Sequence, residues 1–474
     1  MGGKKHLRIE SKNMDLKSSE LTTLPQCWTW TKLGMLCDIQ TGKKDVNEGS
    51  PSGEYFFFTC AASPLRSNTF SFEGEAILLP GNGANVGLVL YYDGRFEVYQ
   101  RTYILNNFQI ISKYLFYYMK GFWKNNLGKQ YGSATNYIRL SNLTDFDVSL
   151  APLFEQHRIV LKIEELFTKL DAGIEILKKI KAQLKRYRQA VLKYAFEGKL
   201  TEHWRQQHKD ELEPASVLLE RIKGDRKQKG EYKIIPPTDI SNLPELPEGW
   251  IWTRLGDVQE TVEMVSPKKQ PTKEFTYIDI ASIDNNSQKI VTYKRYSGKN
   301  APSRARQLIK TGDILFSTVR TYLKNIAIVD AKYDKQVAST GFCVIRPRKP
   351  NSKRFYFYLS LTDAFLNPLN RIQRGTSYPA VRDSDVFEQV VPLPPAKEQY
   401  QIVEEIDRYF SAADEIEKVV ELSMKQADSL RQSILKRAFE GKLVPQDPND
   451  EPAEKLLERI KLKKSKVHNN VKGI

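Results

Sequence analysis

The hexapeptide AFEGKL occupies residues 195–200 and recurs at residues 438–443, 243 positions later. The match extends backwards from both copies without a gap, and 18 of the 46 positions from 155 to 200 are identical to those from 398 to 443. LLERIK at 218–223 reappears at 456–461, and LPQCWTWTKLG at 24–34 is mirrored by LPEGWIWTRLG at 246–256. The chain is therefore a tandem duplication. Two long copies favour pseudo-two-fold symmetry over a solenoid of many short repeats.

The stretch before each AFEGKL copy has the pattern of a long amphipathic helix. Apolar residues step by three and four over six heptads, which predicts a packing seam along a rod of roughly 60 Å. Gly198 and Gly441 suit the left-handed cap that ends a helix. We expect the two helices to pack on each other antiparallel, and the alternative is that each packs only on its own domain. The predicted seam includes Ile159, Ile163, Leu166, Leu177, Leu184, Ile402, Ile406, Ile416, Leu430 and Ile434.

The segments between the long helices have strand patterns separated by Gly and Asn turns. The predicted strands cover residues 55–60, 75–83 and 96–105 in the first segment, and 275–283, 312–320, 325–330 and 341–347 in the second. Helical patterns follow at 113–122 and 354–365. The expected fold class is α+β, with two mixed α/β globular domains related by pseudo-two-fold symmetry and separated by two long antiparallel coiled-coil helices.

Composition limits the class of protein. A chain of 474 residues allows two to four domains, each large enough to bury a core. No apolar run approaches the roughly 20 residues that a membrane span needs, and the first twenty residues lack the apolar core of a signal peptide. The four cysteines are scattered without CxxC spacing, which favours a reducing, cytoplasmic setting over a disulfide framework or zinc site.

The net charge of +16 is unevenly distributed along the chain. Residues 246–396 carry 23 lysines and arginines against 14 aspartates and glutamates, whereas residues 24–154 carry 11 against 10. A basic surface attracts polyanions, of which nucleic acid is the usual one. The alternative is that the charge only keeps the protein soluble.

Polar, basic and aromatic residues are concentrated in the loops of both variable segments. Arginine and lysine neutralise phosphates or read guanine edges, while asparagine and glutamine suit adenine. For any one of these residues the alternative is a solvated turn. The candidate DNA-binding residues are Asn82, Asn85, Arg101, Lys129, Asn136, Tyr137, Arg139, Arg304, Arg306, Arg320, Lys324, Arg371, Arg374, Ser377 and Tyr378.

The sequence shows no pattern of catalytic residues. GNGANVG at 81–87 lacks the GxGxxG spacing, and no Walker lysine follows it. His203 and His208 have no neighbouring cysteines or carboxylate pattern that would complete a metal site. We therefore predict no catalytic residue, metal or cofactor in this chain.

In combination, these motifs resemble the specificity subunit of type I restriction–modification enzymes. The resemblance is carried by the LPxxWxWxxLG openings, the Glu-Gln and Ile-Val pairs at the helix starts, the AFEGKL ends and the two variable segments. It implies that the variable segments are target recognition domains, each reading one half of a bipartite, asymmetric DNA site. It also implies that the conserved helices form an antiparallel coiled-coil spacer between them.

The resemblance further implies partners that carry the chemistry. These are double-stranded DNA, two modification subunits that bind S-adenosylmethionine and methylate adenine N6, and restriction subunits that use ATP and Mg to translocate and cleave DNA. Two alternatives stay open: a recognition subunit of a standalone or fused methyltransferase–nuclease of another restriction type, and a coiled-coil adaptor that binds no DNA.

The expected domain boundaries follow the repeats. They are an N-terminal segment at 1–23, a first recognition domain at 24–154, a first spacer helix at 155–200, a linker with a short helix at 201–245, a second recognition domain at 246–396, a second spacer helix at 397–443 and a C-terminal tail with a short helix at 444–474.

Overall fold

A computed structural model describes residues 24–127, 136–228, 241 and 243–471. The chain divides into two compact units, which are described separately below. The first contains residues up to Lys178 and from Glu421 onwards, and the second contains Lys179–Val420. Each unit therefore holds one globular domain, part of each long helix and one or two shorter helices that follow a long helix.

The first globular domain is a six-stranded sheet with helices packed against it. Its elements are β1 (Thr29–Lys32), α1 (Leu33–Leu36), β2 (Asp38–Thr41), β3 (Tyr55–Phe58), β4 (Leu65–Ser67), β5 (Phe72–Pro80), β6 (Leu90–Val98), β7 (Thr102–Asn106), α2 (Ser112–Phe122), α3 (Leu140–Thr144) and β8 (Asp147–Leu150). The sheet order is β2-β7-β5-β6-β3-β4, and β1 pairs separately with β8.

The long helix α4 (Leu153–Phe196) follows β8, and α5 (Glu202–Gln207) and α6 (Ala215–Gln228) follow α4. The second domain then contains β9 (Ile251–Arg254), β10 (Glu274–Ile278), β11 (Ile283–Asp284), β12 (Lys289–Ile290), β13 (Lys294–Ser297), β14 (Ala305–Leu308), β15 (Ile314–Ser317), β16 (Ile326–Ile328), β17 (Val337–Ser339), β18 (Phe342–Ile345), α7 (Lys353–Ser360), α8 (Asp363–Arg371), α9 (Asp383–Phe387) and β19 (Val390–Leu393). Its larger sheets have the orders β13-β10-β17-β14 and β16-β15-β18. The chain continues with the long helix α10 (Ala396–Phe439) and α11 (Ala453–Val471).

Three predicted elements are split in the structure. The strand predicted at 275–283 is divided into β10 and β11 by a 3₁₀ turn at Ile280–Ser282, where the amide of Ser282 bonds back to the carbonyl of Asp279 (2.9 Å). The strand predicted at 96–105 is a hairpin, because the amide of Thr102 bonds back to the carbonyl of Tyr99 (2.9 Å) and closes a turn. The helix predicted at 354–365 is interrupted because the Thr362 hydroxyl accepts from the amide of Phe365 (3.2 Å) and starts a new helix. All three breaks are made by local hydrogen bonds that a hydropathy pattern does not record.

The helices α4 and α10 pack together and run antiparallel. In the first unit Arg431 of α10 pairs with Asp171 of α4, and in the second unit Arg188 of α4 pairs with Asp414 of α10 at 2.6 Å. Residue numbers rise along one helix as they fall along the other, which fixes the direction. The repeat offset of 243 residues relates Asp171 to Asp414 and Arg188 to Arg431, so each ion pair is the symmetry equivalent of the other, as pseudo-two-fold symmetry requires. The antiparallel pairing predicted from the repeats is thus confirmed.

The packing seam differs from the predicted heptads at two positions. Most of the predicted residues are buried or partly buried: Ile159, Ile163, Leu166, Leu177, Leu184, Ile402, Ile406 and Ile434. Ile416 and Leu430 are each 49% exposed, while the next residues, Glu417 and Arg431, form ion pairs across the helices. The neighbouring seam residues Val420 and Ile434 stay buried, so only one of the two heptad lines is displaced by one residue. The prediction for Ile416 and Leu430 is wrong.

The repeated AFEGKL stretch attaches each long helix to a globular domain. In the first unit the Phe439 ring packs edge-on against Tyr114 and Tyr118 of α2, at 5.2 and 5.0 Å between ring centroids. Gly441 has a φ of +68°, and a Cβ there would lie 2.3 Å from Cγ of Pro25. The helix end therefore needs glycine both for its left-handed turn and for the close approach of the LPxxW opening.

The second unit repeats these contacts with its own residues. The Phe196 ring lies 5.0 Å from that of Phe355 in α7. Gly198 has a φ of +70°, and a Cβ there would lie 2.4 Å from Cγ of Pro247. The hexapeptide recurs because two helix ends make the same attachment to two domains.

The Glu-Gln pair at the start of each long helix binds the globular domain of its own unit. In the first unit the indole Nε1 of Trp28 donates to Glu155 (2.9 Å), and the side-chain oxygen of Gln156 accepts from the amide of Ile111, which caps α2. In the second unit Trp250 donates to Glu398 (2.8 Å), and Gln399 accepts from the capping residue of α7. These contacts explain why LPxxW and Glu-Gln recur together.

The buried carboxyl of Glu155 gives the first unit a predictable pH dependence. Burial raises the pKa of Glu155 above its ordinary value near 4.5, while the hydrogen bond from Trp28 opposes the shift. A carboxyl group whose pKa is higher in the folded than in the unfolded chain stabilises the fold at a pH below its unfolded-state pKa. This stabilisation is lost as the pH rises through its folded-state pKa. Relative to Glu155→Gln, the wild-type free energy of unfolding should therefore fall as pH rises above about 4.5.

Urea titrations at several pH values measure this difference, with the exposed carboxyl of Glu454 replaced in a Glu454→Gln control. A wild-type curve parallel to that of Glu155→Gln at every pH would contradict the assignment.

Among the described residues, no helix combines the length and the apolar character needed to cross a bilayer.

Candidate nucleic-acid interface

In the first domain, two loops and a hairpin turn are joined by backbone hydrogen bonds. The amide of Gly83 donates to the carbonyl of Asn136 (2.8 Å), and the amide of Ile138 donates to the carbonyl of Gly81 (2.9 Å). The amide of Gly81 also donates to the carbonyl of Arg101 (2.9 Å), in the turn between β6 and β7. We call residues 81–83, 101 and 136–138 seat 1. It joins three chain segments that the sequence nominated separately.

The second domain contains the same arrangement. The amide of Arg320 donates to the carbonyl of Pro379 (2.7 Å), and the amide of Val381 donates to the carbonyl of Thr318 (2.9 Å). The amide of Thr318 donates to the carbonyl of Gly341 (3.0 Å). We call residues 318–320, 341 and 379–381 seat 2. Bond by bond, Gly83 corresponds to Arg320 and Arg101 corresponds to Gly341.

Seat 1 opens into a cleft of about 390 Å³. Its polar lining includes Asn82, Gln100, Arg101 and Tyr137. Arg101 is exposed, and Tyr137 is 37% exposed. Amide and guanidinium groups at one opening can donate to or accept from base edges.

Seat 2 presents an arginine on an aromatic ring. The Arg320 guanidinium lies 4.8 Å from the centroid of the Tyr378 ring, and its Nη2 donates to the carbonyl of Ser377 (2.9 Å). Tyr378 is 71% exposed. Arg320 has a φ of +50° and Lys324 a φ of +53°, a left-handed conformation that costs a non-glycine residue about 1–2 kcal/mol. Such strain is concentrated at functional sites.

Comparisons with known proteins show which family contains a chain with these two seats. Residues 25–186 and 247–423 match the family described as the type I restriction modification DNA specificity domain. The type I restriction enzyme EcoDI specificity subunit of Escherichia coli is 33% identical over 455 residues, which cover 93% of this chain and 96% of that protein. The chain belongs to the type I restriction–modification specificity subunits. Its function is DNA recognition within such a system.

Further relatives of this specificity subunit are more distant or match over less of their length. The EcoKI specificity subunit of Escherichia coli K12 is 26% identical over 347 residues, covering 70% of this chain and 67% of that protein. The crystal structure of the HsdS subunit from Thermoanaerobacter tengcongensis is 42% identical, but the match spans 49% of that chain and 40% of this one, with a TM-score of 0.37. The S subunit from M. genitalium is 16% identical over 89% of this chain and 96% of that chain, with a TM-score of 0.34.

Several predicted residues of the specificity subunit lie at or beside the seats. Asn82, Arg101, Asn136 and Tyr137 belong to seat 1, and Arg139 contacts Tyr137 through its Nη2 at 3.4 Å from the phenol oxygen. In the second domain Arg320, Ser377 and Tyr378 lie together, and the backbone of Arg374 pairs with Ala380 of seat 2. The carbonyl of Arg304 accepts from the amide of Thr340, the neighbour of Gly341.

Other predicted residues have structural partners or lie elsewhere. The side-chain amide of Asn85 holds the carbonyl of Cys60 (2.8 Å), so it supports a loop. The ammonium of Lys324 pairs with Asp363 (3.0 Å). Arg306 is an exposed residue of β14, and Arg371 is the exposed last residue of α8. Lys129 lies outside the described residues.

The positive charge of Arg374, beside seat 2, is balanced by an ion pair. Its guanidinium binds both carboxylate oxygens of Asp385, at 2.5 and 3.3 Å. The hydrogen bond raises the pKa of Arg374 and lowers that of Asp385. The arginine therefore stays charged, but its charge is largely balanced by its neighbour.

Two groups near the seats were not among the predicted residues. Gln100 lines the cleft of seat 1, and Tyr322, which is 51% exposed, lies in the turn between Arg320 and Lys324. The prediction of one strand through 96–105 concealed the turn that places Gln100. Tyr322 was identifiable only as an exposed aromatic residue in a basic loop.

Proposed function

We propose that each globular domain of this specificity subunit reads one block of a bipartite, asymmetric DNA site. Seat 1 reads one block and seat 2 reads the other. The helices α4 and α10 set the unspecified gap between the blocks.

The observation that carries this proposal is one backbone arrangement with two sets of side chains. Equivalent hydrogen bonds build both seats, yet the arginine stands at position 101 in the first and at position 320 in the second. Base edges are distinguished by the placement of donors and acceptors. Two seats with differently placed groups should therefore read different bases, which makes the site asymmetric.

The helix pair supports the proposed spacer. Each helix has 44 residues, or about 66 Å at 1.5 Å per residue. Contacts on one face of a duplex recur about every 34 Å. The helices are thus long enough to hold two readers about one turn of DNA apart.

The proposal assigns the chemistry to partner subunits. Two modification subunits would bind S-adenosylmethionine and methylate adenine N6, and restriction subunits would use ATP and Mg. In this assignment the chain itself contributes no cofactor and no catalytic residue. Its roles are to bind DNA and to assemble the complex.

Selection from a randomised duplex library tests the proposal. The purified complex of this chain with its modification subunits should enrich DNA with two short unlike blocks at a constant separation. Binding should also weaken with salt, because each neutralised phosphate lowers log K by about 0.9 per log unit of salt. Enrichment of one contiguous sequence, or of none, would contradict the proposal.

A further inference from the structure

Arg320 occupies a backbone position that the first domain fills with glycine. The amide of Gly83 bonds to Asn136 in seat 1, as the amide of Arg320 bonds to Pro379 in seat 2. Both residues have positive φ, +86° and +50°. Glycine adopts this conformation freely, whereas an arginine is strained in it. The second domain therefore has an arginine at a position where the backbone conformation favours glycine.

The side chain at this position is held in one orientation. Its Nη2 bonds to the carbonyl of Ser377, and its guanidinium carbon lies over the ring of Tyr378, 4.8 Å from the ring centroid. Its Nε is buried without a partner among the described residues. The bulk of the Tyr378 ring remains exposed to solvent beside it. An arginine restrained on an aromatic platform loses little further freedom when it binds a planar acceptor.

We propose that Arg320, supported by Tyr378, is the residue of seat 2 that specifies a guanine in the second DNA block. A guanidinium fork donates two parallel hydrogen bonds to O6 and N7 of guanine, which no other base presents together. The inference rests on the proposed function, since it requires that seat 2 faces a base.

A phosphate contact is the competing role for this arginine. Phosphate binding needs positive charge but no strained backbone, and lysine also binds phosphate, as a point charge. The restraint by Ser377 and Tyr378 favours recognition of a planar edge. The charge of Arg374 is balanced by Asp385, and no aromatic ring in the described part of the chain lies under its guanidinium, so it is not assigned this role.

Arg320→Gly is the informative variant, because it removes the side chain and supplies the residue that the backbone favours. Its fold should therefore be retained. In the library selection above, the variant complex should lose discrimination at one guanine of the second block by about 5- to 150-fold, the range of one bidentate contact. The first block and the gap should not change. Arg320→Lys should relax the same base, because lysine cannot form the fork.

Two further variants separate the roles. Tyr378→Phe keeps the platform and should keep the wild-type sequence, whereas Tyr378→Ala should relax the same position as Arg320→Gly. Arg295→Ala is the matched control, because it removes another arginine lying over a tyrosine of the same domain, 5.9 Å from the ring of Tyr293. It should leave the recognised sequence unchanged.

The outcomes distinguish this inference from the proposed function. If the wild-type complex selects two blocks but Arg320→Gly weakens binding equally for all sequences, or Arg320→Lys retains full discrimination, the arginine contacts phosphate and the inference is overturned. If the wild-type complex selects no bipartite site, the proposed function itself fails.

Discussion

Replacing Asp313 with alanine should destabilise the second domain by about 3–5 kcal/mol, because it leaves a buried guanidinium without its counter-charge. The carboxylate binds Nε of Arg346 at 2.9 Å and Nη2 at 2.6 Å. The two side chains are 0% and 4% exposed. Asp313 also accepts from the amide of Lys310 (2.7 Å), so the same replacement frees the turn before β15.

Hydrogen exchange measured by mass spectrometry in peptides from β15 and β18 follows this loss within the intact chain. Glu415→Ala is the control, since it removes an ion pair whose two side chains are 72% and 71% exposed, and it should leave exchange unchanged. Replacing Asp313 and Arg346 together with apolar residues of similar volume should cost less than Asp313→Ala. A single variant that exchanges like the control would contradict the buried pair.

The second large effect is expected at the end of the long helix. Gly441→Ala should destabilise the first unit by about 2–4 kcal/mol, combining the left-handed backbone with overpacking. The added Cβ would lie 2.3 Å from Cγ of Pro25. Urea unfolding of the purified chain, with hydrogen exchange in α2, measures the change.

Gly173→Ala is the matched control within the same unit. This glycine lies inside α4, and a Cβ there meets nothing within 4 Å. The substitution should stabilise the helix by about 0.5–1 kcal/mol. Gly198→Ala should repeat the loss in the second unit, since its Cβ would approach Pro247 at 2.4 Å. Equal stability of Gly441→Ala and Gly173→Ala would show that the helix end does not approach the LPxxW opening.

The sequence predicts the large features of this fold because each has a strong local signal. The repeat offset gives the symmetry, the apolar steps give the helices, and Gly198 and Gly441 mark their ends. The repeat does not show which contacts are made by the residues that are identical in its two copies. Trp28 and Glu155 are 127 positions apart, and only the folded chain shows that one donates to the other.

The errors arise where a pattern is nearly regular. A heptad count placed Ile416 and Leu430 in the seam, but the next residues, Glu417 and Arg431, make the ion pairs across the helices and leave both half-exposed. Alternating residues concealed the turn before Thr102, and an apolar run concealed the cap at Thr362. In each case the prediction failed because the structure differs from the pattern by one residue position or by one local hydrogen bond.

The candidate site was predictable as loops rather than as individual contacts. Residues 81–83 and 136–138 were nominated from composition, and the structure joins them through backbone bonds. The exchange of Gly83 for Arg320 between the seats could not be found by alignment at the 243-residue offset, because the loops differ in length. DNA contact by the nominated residues stays a prediction.

Shortening both helices tests the central claim most directly. Deleting residues 172–178 and 415–421 removes one heptad from each helix and retains the pairs Asp171–Arg431 and Arg188–Asp414. Seven residues span about 10.5 Å, or about three base pairs at 3.4 Å each. Methylome sequencing of cells carrying the shortened chain and its modification subunits should show a shorter gap between two unchanged blocks. Unchanged blocks at the wild-type separation would show that the helices do not set the distance.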